Sequence, residues 1–316
     1  MFLHDEQKLG ERWLLQGGVR YDWNSRTDQA LSPRAAIIFN PAGEHYFRLF
    51  GGLAFRKPSP METSMNFEVE ANPAFPEIED LFEKYGISNP DLKNELLSSV
   101  EFGWNSSWLE GRLKTSLNIY SVFNRHLIDF QTDVVFEDKP LGPRINLEKS
   151  RVGYEDLLND YDAFGASFSL ETRPWDWLSL FLRSEVIFSF WSERDYSRRR
   201  SSPPYLIAAG ASFLAPLGIK GQIVLAGQGE SSDHRRNPES IFLPSVDIIL
   251  PAIFYTILYL GRDFDAGPIK LHAAVEFFDA FNHRFREVGG TLDKNAENFG
   301  GELLGRRFIA SLGVIY

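Results

Sequence analysis

The chain contains no cysteine, which excludes disulfides and thiolate-held metal or redox centres. It is also short of positive charge. With 33 Lys and Arg against 43 Asp and Glu, the net charge is -10, the opposite of the basic stripe that a nucleic-acid binder presents. Long hydrophobic runs are lacking too. The longest, Ile248 to Leu260, is interrupted by Pro251 and Thr256 and falls well short of the ~20 apolar residues of a membrane-spanning helix. The start, Met1-Phe2-Leu3-His4-Asp5-Glu6, has neither the basic region nor the apolar core of a secretory signal. His4, His45, His126, His234, His272 and His283 form no H-E-x-x-H pattern, and there is no G-x-S-x-G elbow or phosphate-binding glycine loop. No tight Asp/Glu/His ligand spacing stands out either. Neither an enzyme nor a bound metal or cofactor is expected.

What the chain has in quantity is aromatics, 14% with 27 Phe, 11 Tyr and 7 Trp, and a period-two rhythm along its length. Trp13, Leu15, Gly17, Val19, Tyr21 and Trp23 alternate with Leu14, Gln16, Gly18, Arg20, Asp22 and Asn24. Leu113, Thr115, Leu117 and Ile119 alternate with Lys114, Ser116, Asn118 and Tyr120. A period of two places alternate side chains on opposite faces of a sheet, so each series gives one oily and one wet face. Later stretches repeat the pattern: Phe47, Leu49, Gly51, Leu53, Phe55 against Arg48, Gly52, Arg56; Leu178, Leu180, Leu182, Val186, Phe188, Phe190 against Ser179, Arg183, Glu185, Ser189; and Ile219, Gly221, Ile223, Leu225 against Lys220 and Gln222.

These signals predict about thirteen strands, near 1-8, 11-24, 30-41, 44-57, 94-109, 111-130, 160-173, 176-192, 203-215, 218-229, 243-261, 267-282 and 305-316. Short connections rich in Gly, Pro and Asp, at 8-10, 40-44, 109-111, 173-176, 215-218 and 262-267, take turns with connections at 25-29, 58-93, 131-159, 193-202, 230-242 and 283-304, most of them longer. Short turns at one end and long loops at the other are the mark of an antiparallel transmembrane β-barrel. A soluble antiparallel sheet gives the same alternation, but these strands are long for a sandwich and suit a tilted membrane crossing of about 9-11 residues. A mean hydropathy of -0.23 does not oppose this, because lumen and loop residues dilute the apolar face. The fold class is all-β.

Specific stretches then resemble one family. Gly17-Gly18-Val19-Arg20-Tyr21-Asp22 followed by Leu31-Ser32-Pro33-Arg34 is similar to the G-x-R-Y-D and S-P-R strands of TonB-dependent outer-membrane receptors. Phe47 to Ser59, with Phe55, Arg56 and Pro58, resembles their F-R-x-x-x-x-x-A-F-R-x-P-S strand. Asn89-Pro90-Asp91-Leu92-Lys93 resembles N-P-x-L-K, with Asn94 in place of the usual Pro. Asp279 to Glu287, with Phe281 and Arg286, resembles N-L-F-D-x-x-Y-R, and Gly305 to Tyr316 the closing G-R-x-F strand, ending in Tyr where Phe is usual. The marks appear in the family's order over nearly the whole chain.

The resemblance implies the C-terminal part of a 22-stranded barrel whose plug domain, TonB-contacting segment and signal peptide precede it, as in a receptor from a truncated or split reading frame. Large barrels of that size carry a plugged lumen. It implies location in the outer membrane of a Gram-negative cell, with lipid and lipopolysaccharide as surroundings. It also implies contact with the barrel-assembly machinery through the C-terminal strand, where Phe308, Ala310, Leu312 and Val314 alternate behind Tyr316. The TonB complex would be reached through the N-terminal part. The implied function is uptake of a scarce extracellular ligand such as a siderophore or other metal chelate. A closed barrel of 12 or 14 strands acting as a passive diffusion channel is the alternative.

Loops on a rigid scaffold carry recognition. Arg194, Arg198, Arg199 and Arg200 crowd one loop, and His234, Arg235 and Arg236 another. Arginines so placed hold an anionic chelate through charge-assisted bonds, or, on the plainer reading, are solvated or meet lipopolysaccharide phosphates. Segment 58-93 is acidic, with Glu68, Glu70, Glu77, Glu79, Asp80 and Glu83, and Pro76 to Tyr85 is expected to form a short amphipathic helix.

Overall fold

The computed structural model describes residues 1–23, 29–41, 43–64, 88–133, 135–139, 142–146, 148–156, 161–191, 203–235, 246–267, 269–282, 285–286 and 303–315. In chain order the first strands are β1 (Phe2–Leu9), β2 (Trp13–Asp22), β3 (Ala30–Phe39) and β4 (His45–Arg56). After helix α1 (Pro60–Ser64) come β5 (Glu95–Trp108) and β6 (Leu113–Arg125). The next connection holds β7 (Ile128–Asp133), β8 (Phe136–Lys139), β9 (Gly142–Ile145) and β10 (Arg151–Asp156). Then follow β11 (Tyr161–Trp175), β12 (Leu178–Trp191), β13 (Tyr205–Ala215), β14 (Ile219–Gln228), β15 (Ser231–Arg235), β16 (Val246–Leu250), β17 (Ile253–Ala266), β18 (Ile269–Phe278), β19 (Phe285–Arg286), β20 (Leu303–Leu304) and β21 (Arg307–Ile315).

Thirteen of these form one antiparallel sheet in the order β1-β2-β3-β4-β5-β6-β11-β12-β13-β14-β17-β18-β21. Neighbours in the sheet are neighbours in sequence once the small hairpins are set aside, so every strand reverses the one before it. The turns after β1, β3, β5, β11, β13 and β17 lie at one end, and the longer connections at the other. The small pairs β7–β10, β8–β9, β15–β16 and β19–β20 extend the long connections as hairpins. No ladder among the described residues joins β1 to β21, which run parallel to each other, so the sheet is an open wall. Among the described residues the sheet has thirteen strands, not the 12 or 14 expected of a small closed barrel.

The register preserves the two faces from strand to strand. Val19 pairs with Leu3 and Pro33 on one face, and Arg20 with Phe2 and Ser32 on the other. Far along the wall, Leu258 pairs with Ile223 and Phe277, and Tyr259 with Gln222 and Glu276. The face carrying Leu49, Ile119, Phe188 and Leu225 is the lipid-facing one, and these large apolar residues are exposed. Because the wall is one layer thick, few apolar side chains are buried, among the described residues Ala30, Ala36, Leu92, Ile145 and Ala163. Aromatics mark both borders of the apolar band. Trp13, Trp108, Trp175 and Trp177 sit at the short-turn end, the last two stacked with ring centroids 5.6 Å apart, while Tyr21, Trp23, Phe188, Phe190 and Phe254 sit at the loop end. Such rings suit an interface, with an apolar body and a polar edge. No helix among the described residues is long and apolar enough to cross a membrane.

Three expected boundaries move. The strand expected at 111-130 ends at Arg125, and Ile128 to Phe130 belong to β7, paired with β10. The stretch 243-261 is not one strand: Pro251, which has no N–H to give a ladder, divides β16, paired with β15, from β17. Arg262 to Ala266, expected as a turn, continues β17 and pairs with β18 down to Ile269.

Candidate functional site: the lumen face and the base of a loop

The polar face collects its charges into groups that neighbouring strands hold in register. Nearest the long loops is an open recess of about 500 Å³ lined by Arg20, Asp22, Arg34 and Lys57 with Phe2, Phe50 and Leu97. Arg20 Nη2 donates to Asp22 Oδ1 at 2.8 Å, and the Arg34 guanidinium lies 5.4 Å from the centre of the Phe2 ring. Three cations against one carboxylate leave the recess positive, with apolar patches between the charges. Such a surface can hold an anionic ligand that has an aromatic or greasy body.

Beneath it, Arg48 pairs with Glu101, and the Tyr120 hydroxyl donates to Glu185 Oε1 at 2.8 Å. The Arg183 guanidinium rests over Phe181 at 5.5 Å. At the short-turn end Lys220 Nζ donates to Asp263 Oδ2 at 2.7 Å. Asp263 Oδ1 is 2.6 Å from His272 Nδ1, and His272 Nε2 is 3.2 Å from the Tyr259 hydroxyl. With the proton on Nδ1, the imidazole donates to Asp263 and accepts from Tyr259. His272 thus faces the lumen as the centre of this network.

The connection after β4 is fastened at its base. Ser59-Pro60-Met61-Glu62 is a capping box with Pro at the first helical position. The Ser59 N–H donates to Glu62 Oε2 at 2.5 Å, and the Glu62 N–H to Ser59 Oγ at 3.3 Å. Arg56 then grips two carboxylates. Its Nη1 donates to Glu62 Oε1 at 3.0 Å and its Nη2 to Glu95 Oε1 at 2.7 Å, with Nε also on Glu95. The Asn89 N–H donates to the Glu62 carbonyl at 2.7 Å, which brings the two ends of the connection together. The Ile128 N–H reaches Glu95 Oε1 at 2.8 Å, tying in the following loop. The Glu62 side chain is 12% exposed. Burial alone would raise its pKa, but the Ser59 N–H and the Arg56 guanidinium outweigh it and hold the carboxyl below its ordinary value.

The motif residues therefore divide. Arg20 and Arg34 line the recess and Arg56 the clamp; Pro58 and Leu92 are buried at the loop base. Asn89 closes the loop, with Pro90 turning the chain beside it. Tyr21, Pro33 and Phe55 belong to the outward face by register. The Tyr21 hydroxyl donates to Gln29 Oε1 at 2.7 Å. Phe281 is 70% exposed just after β18, and Arg286 lies in β19 opposite Leu303. Of the loop cations, His234 and Arg235 lie in β15 opposite Asp247 and Val246. Arg194, Arg198, Arg199, Arg200, Arg236 and Tyr316 fall outside the described residues, as do the acidic run from Glu68 to Glu83 and the helix expected from Pro76 to Tyr85. Sequence reasoning passed over α1 and Glu62, although the Ser59-x-x-Glu62 spacing signalled both.

An antiparallel wall that is apolar outside and polar inside, with short turns at one end and long loops at the other, defines an outer-membrane β-barrel. The chain has the barrel fold of TonB-dependent receptors, and its residues 1–155 match the family model described as TonB dependent receptor-like, beta-barrel. Among solved structures it is similar to a mutant ferric enterobactin receptor, PfeA, of Pseudomonas aeruginosa, with a TM-score of 0.70 at 14% identity over 99% of this chain and 44% of that one. It is similar to the siderophore receptor PirA of Acinetobacter baumannii, with a TM-score of 0.68 at 14% identity over 98% and 44%. The FrpB iron transporter of Neisseria meningitidis gives 0.64 at 11% identity over 99% and 44%. The chain thus spans less than half the length of these structures. No curated protein sequence matches it.

Proposed function

We propose that these 316 residues are the C-terminal portion of the barrel wall of a receptor that takes up a scarce anionic ligand, a siderophore or other metal chelate. The observation that carries this is the positive recess of Arg20, Arg34 and Lys57 on the lumen face beside the long loops, where an incoming ligand arrives. The iron and siderophore receptors among the similar structures support the same substrate class. A wall whose two edge strands run parallel closes into an all-antiparallel barrel only when an odd number of further strands is added. A complete receptor supplies those strands together with a domain that fills the lumen, and the TonB complex acts on parts other than this wall. Loop cations such as Arg198 and Arg235 capture the ligand at the rim, the β21 strand is read by the barrel-assembly machinery, and lipopolysaccharide surrounds the loop end.

The test is uptake of radiolabelled ferric chelates by cells carrying or lacking the gene, each with and without a working TonB complex. Uptake that needs both supports the proposal. Uptake that is indifferent to TonB, accompanied by ion conductance from the purified protein without ligand, points to a passive channel instead.

A further inference from the structure

Arg262 faces the wrong way for a charge. It pairs with Ile219 on β14 and Ala273 on β18, in the row that continues to Leu312, and the large members around it, Leu260, Phe264 and Leu312, are exposed lipid-facing residues. The carboxylates of the same strand, Asp263 and Asp265, face the lumen. Asp263 is held on the lumen face by Lys220 and His272, and Asp265 pairs with Lys270 on that same face. By contrast the outward Asp162, at the loop end, is neutralised by Arg125 at 2.6 Å. Arg262 makes no ion pair among the described residues, and its Nε is enclosed without a hydrogen-bond partner. Its guanidinium lies 4.8 Å from the centre of the Phe264 ring, two residues nearer the short turn, so the head is drawn toward the membrane border while its stem crosses apolar wall.

A cation on the lipid face is tolerated near the interface and not at the midplane, and near the interface the abundant anion is the lipid phosphate. The residue opposite it on β18 is the small Ala273, and the planar guanidinium fork matches two phosphate oxygens. We propose that Arg262, seated on Phe264, binds the phosphate of a phospholipid in the leaflet on the short-turn side and so anchors that sector of the wall at a fixed depth.

The experiment uses the receptor purified from outer membranes, equilibrated with dioleoylphosphatidylglycerol or with dioleoylglycerol, which has the same chains and no phosphate, and reads retained lipid by native mass spectrometry. The phosphate lipid is expected to be retained and the neutral one not. In Arg262→Gln retention falls about tenfold, as loss of a charge-assisted pair implies, and Arg262→Lys recovers part of it. Equal retention of the two lipids by the wild type overturns the proposal without any variant. So does unchanged retention by a folded Arg262→Gln. Displacement of the lipid by excess inorganic phosphate would make this a site for free phosphate and overturn the lipid assignment.

Discussion

The Tyr120 hydroxyl donates to Glu185 Oε1 at 2.8 Å across β11, the strand lying between their own. The contact exists because Gly165 is directly opposite Tyr120 in the register, and the ring lies over it. A Cβ at Gly165 would stand 2.2 Å from Tyr120 Cζ, so the bridge depends on the missing side chain. Gly165→Ala is expected to push the ring off, break the bridge and lower stability by about 1–3 kcal/mol. Tyr120→Phe removes only the hydroxyl bond and is expected to cost about 1 kcal/mol. The midpoint temperature at which the folded, fast-migrating band on a gel converts to the slow one ranks the two, and a Tyr120→Phe loss equal to that of Gly165→Ala would contradict the steric argument.

The clamp at the loop base makes Arg56 more than a surface cation. Two mostly enclosed carboxylates, Glu62 at 12% and Glu95 at 16% side-chain exposure, share it. Truncation to Ala leaves both without their counter-charge, and the loss is expected to be about 1–3 kcal/mol, at the low end because Arg56 itself is 46% exposed and screened. Arg56→Lys does not restore it, since one ammonium cannot present the fork that spans both partners. Limited proteolysis reads the result: cleavage within 57–94 accelerates in both variants while the rest of the wall stays resistant.

In the recess, charge is expected to set affinity and not stability. Arg34→Gln and Lys57→Gln together remove two of the three cations on an open surface, so folding changes little, within about 0.5 kcal/mol. Uptake of an anionic ferric chelate should fall at low salt and differ less from wild type at high salt, as screening predicts. Uptake unchanged at any ionic strength would move ligand capture away from this wall.

The wall was legible in the sequence because a one-residue slip would exchange its faces. Leu15 and Val19 against Gln16 and Arg20 fix both the strand and its orientation, and the turn residues fix the order. The run Ile248 to Leu260 cannot be oriented from sequence, since both of its faces are oily. Its ladders with β14 and β18 show Leu258 outward and Ile257 and Tyr259 inward. The site was less legible because its contacts join distant positions: Arg56 meets Glu95, and Tyr120 meets Glu185, through register rather than through local spacing. Glu62 was the exception, since a capping box is local. The loop arginines, prominent in sequence as clusters, lie mostly outside the described residues, whereas the lumen cations Arg20, Arg34 and Lys57 were scattered along the chain and brought together by pairing.

The clamp also carries a pH dependence whose sign follows from Glu62. Its carboxyl is held below the ordinary value of 4.5 by the Ser59 N–H and the Arg56 guanidinium, against the opposing effect of burial. A group depressed in the folded state contributes stability that is full above the unfolded value and is lost as pH falls through the folded value. Neutral and mildly acidic media should therefore leave the loop base closed, and opening should begin only below about 4.5 and steepen as Glu62 takes up its proton. Exchange of the Ser59 and Asn89 amide hydrogens, corrected for the intrinsic pH effect, measures this, because those N–H groups donate to the Glu62 carboxylate and carbonyl. Glu62→Gln keeps the shape and removes the titration, so its corrected exchange at Asn89 should be faster at neutral pH and much flatter below it. An equally steep acid dependence in Glu62→Gln would assign the opening to groups other than Glu62.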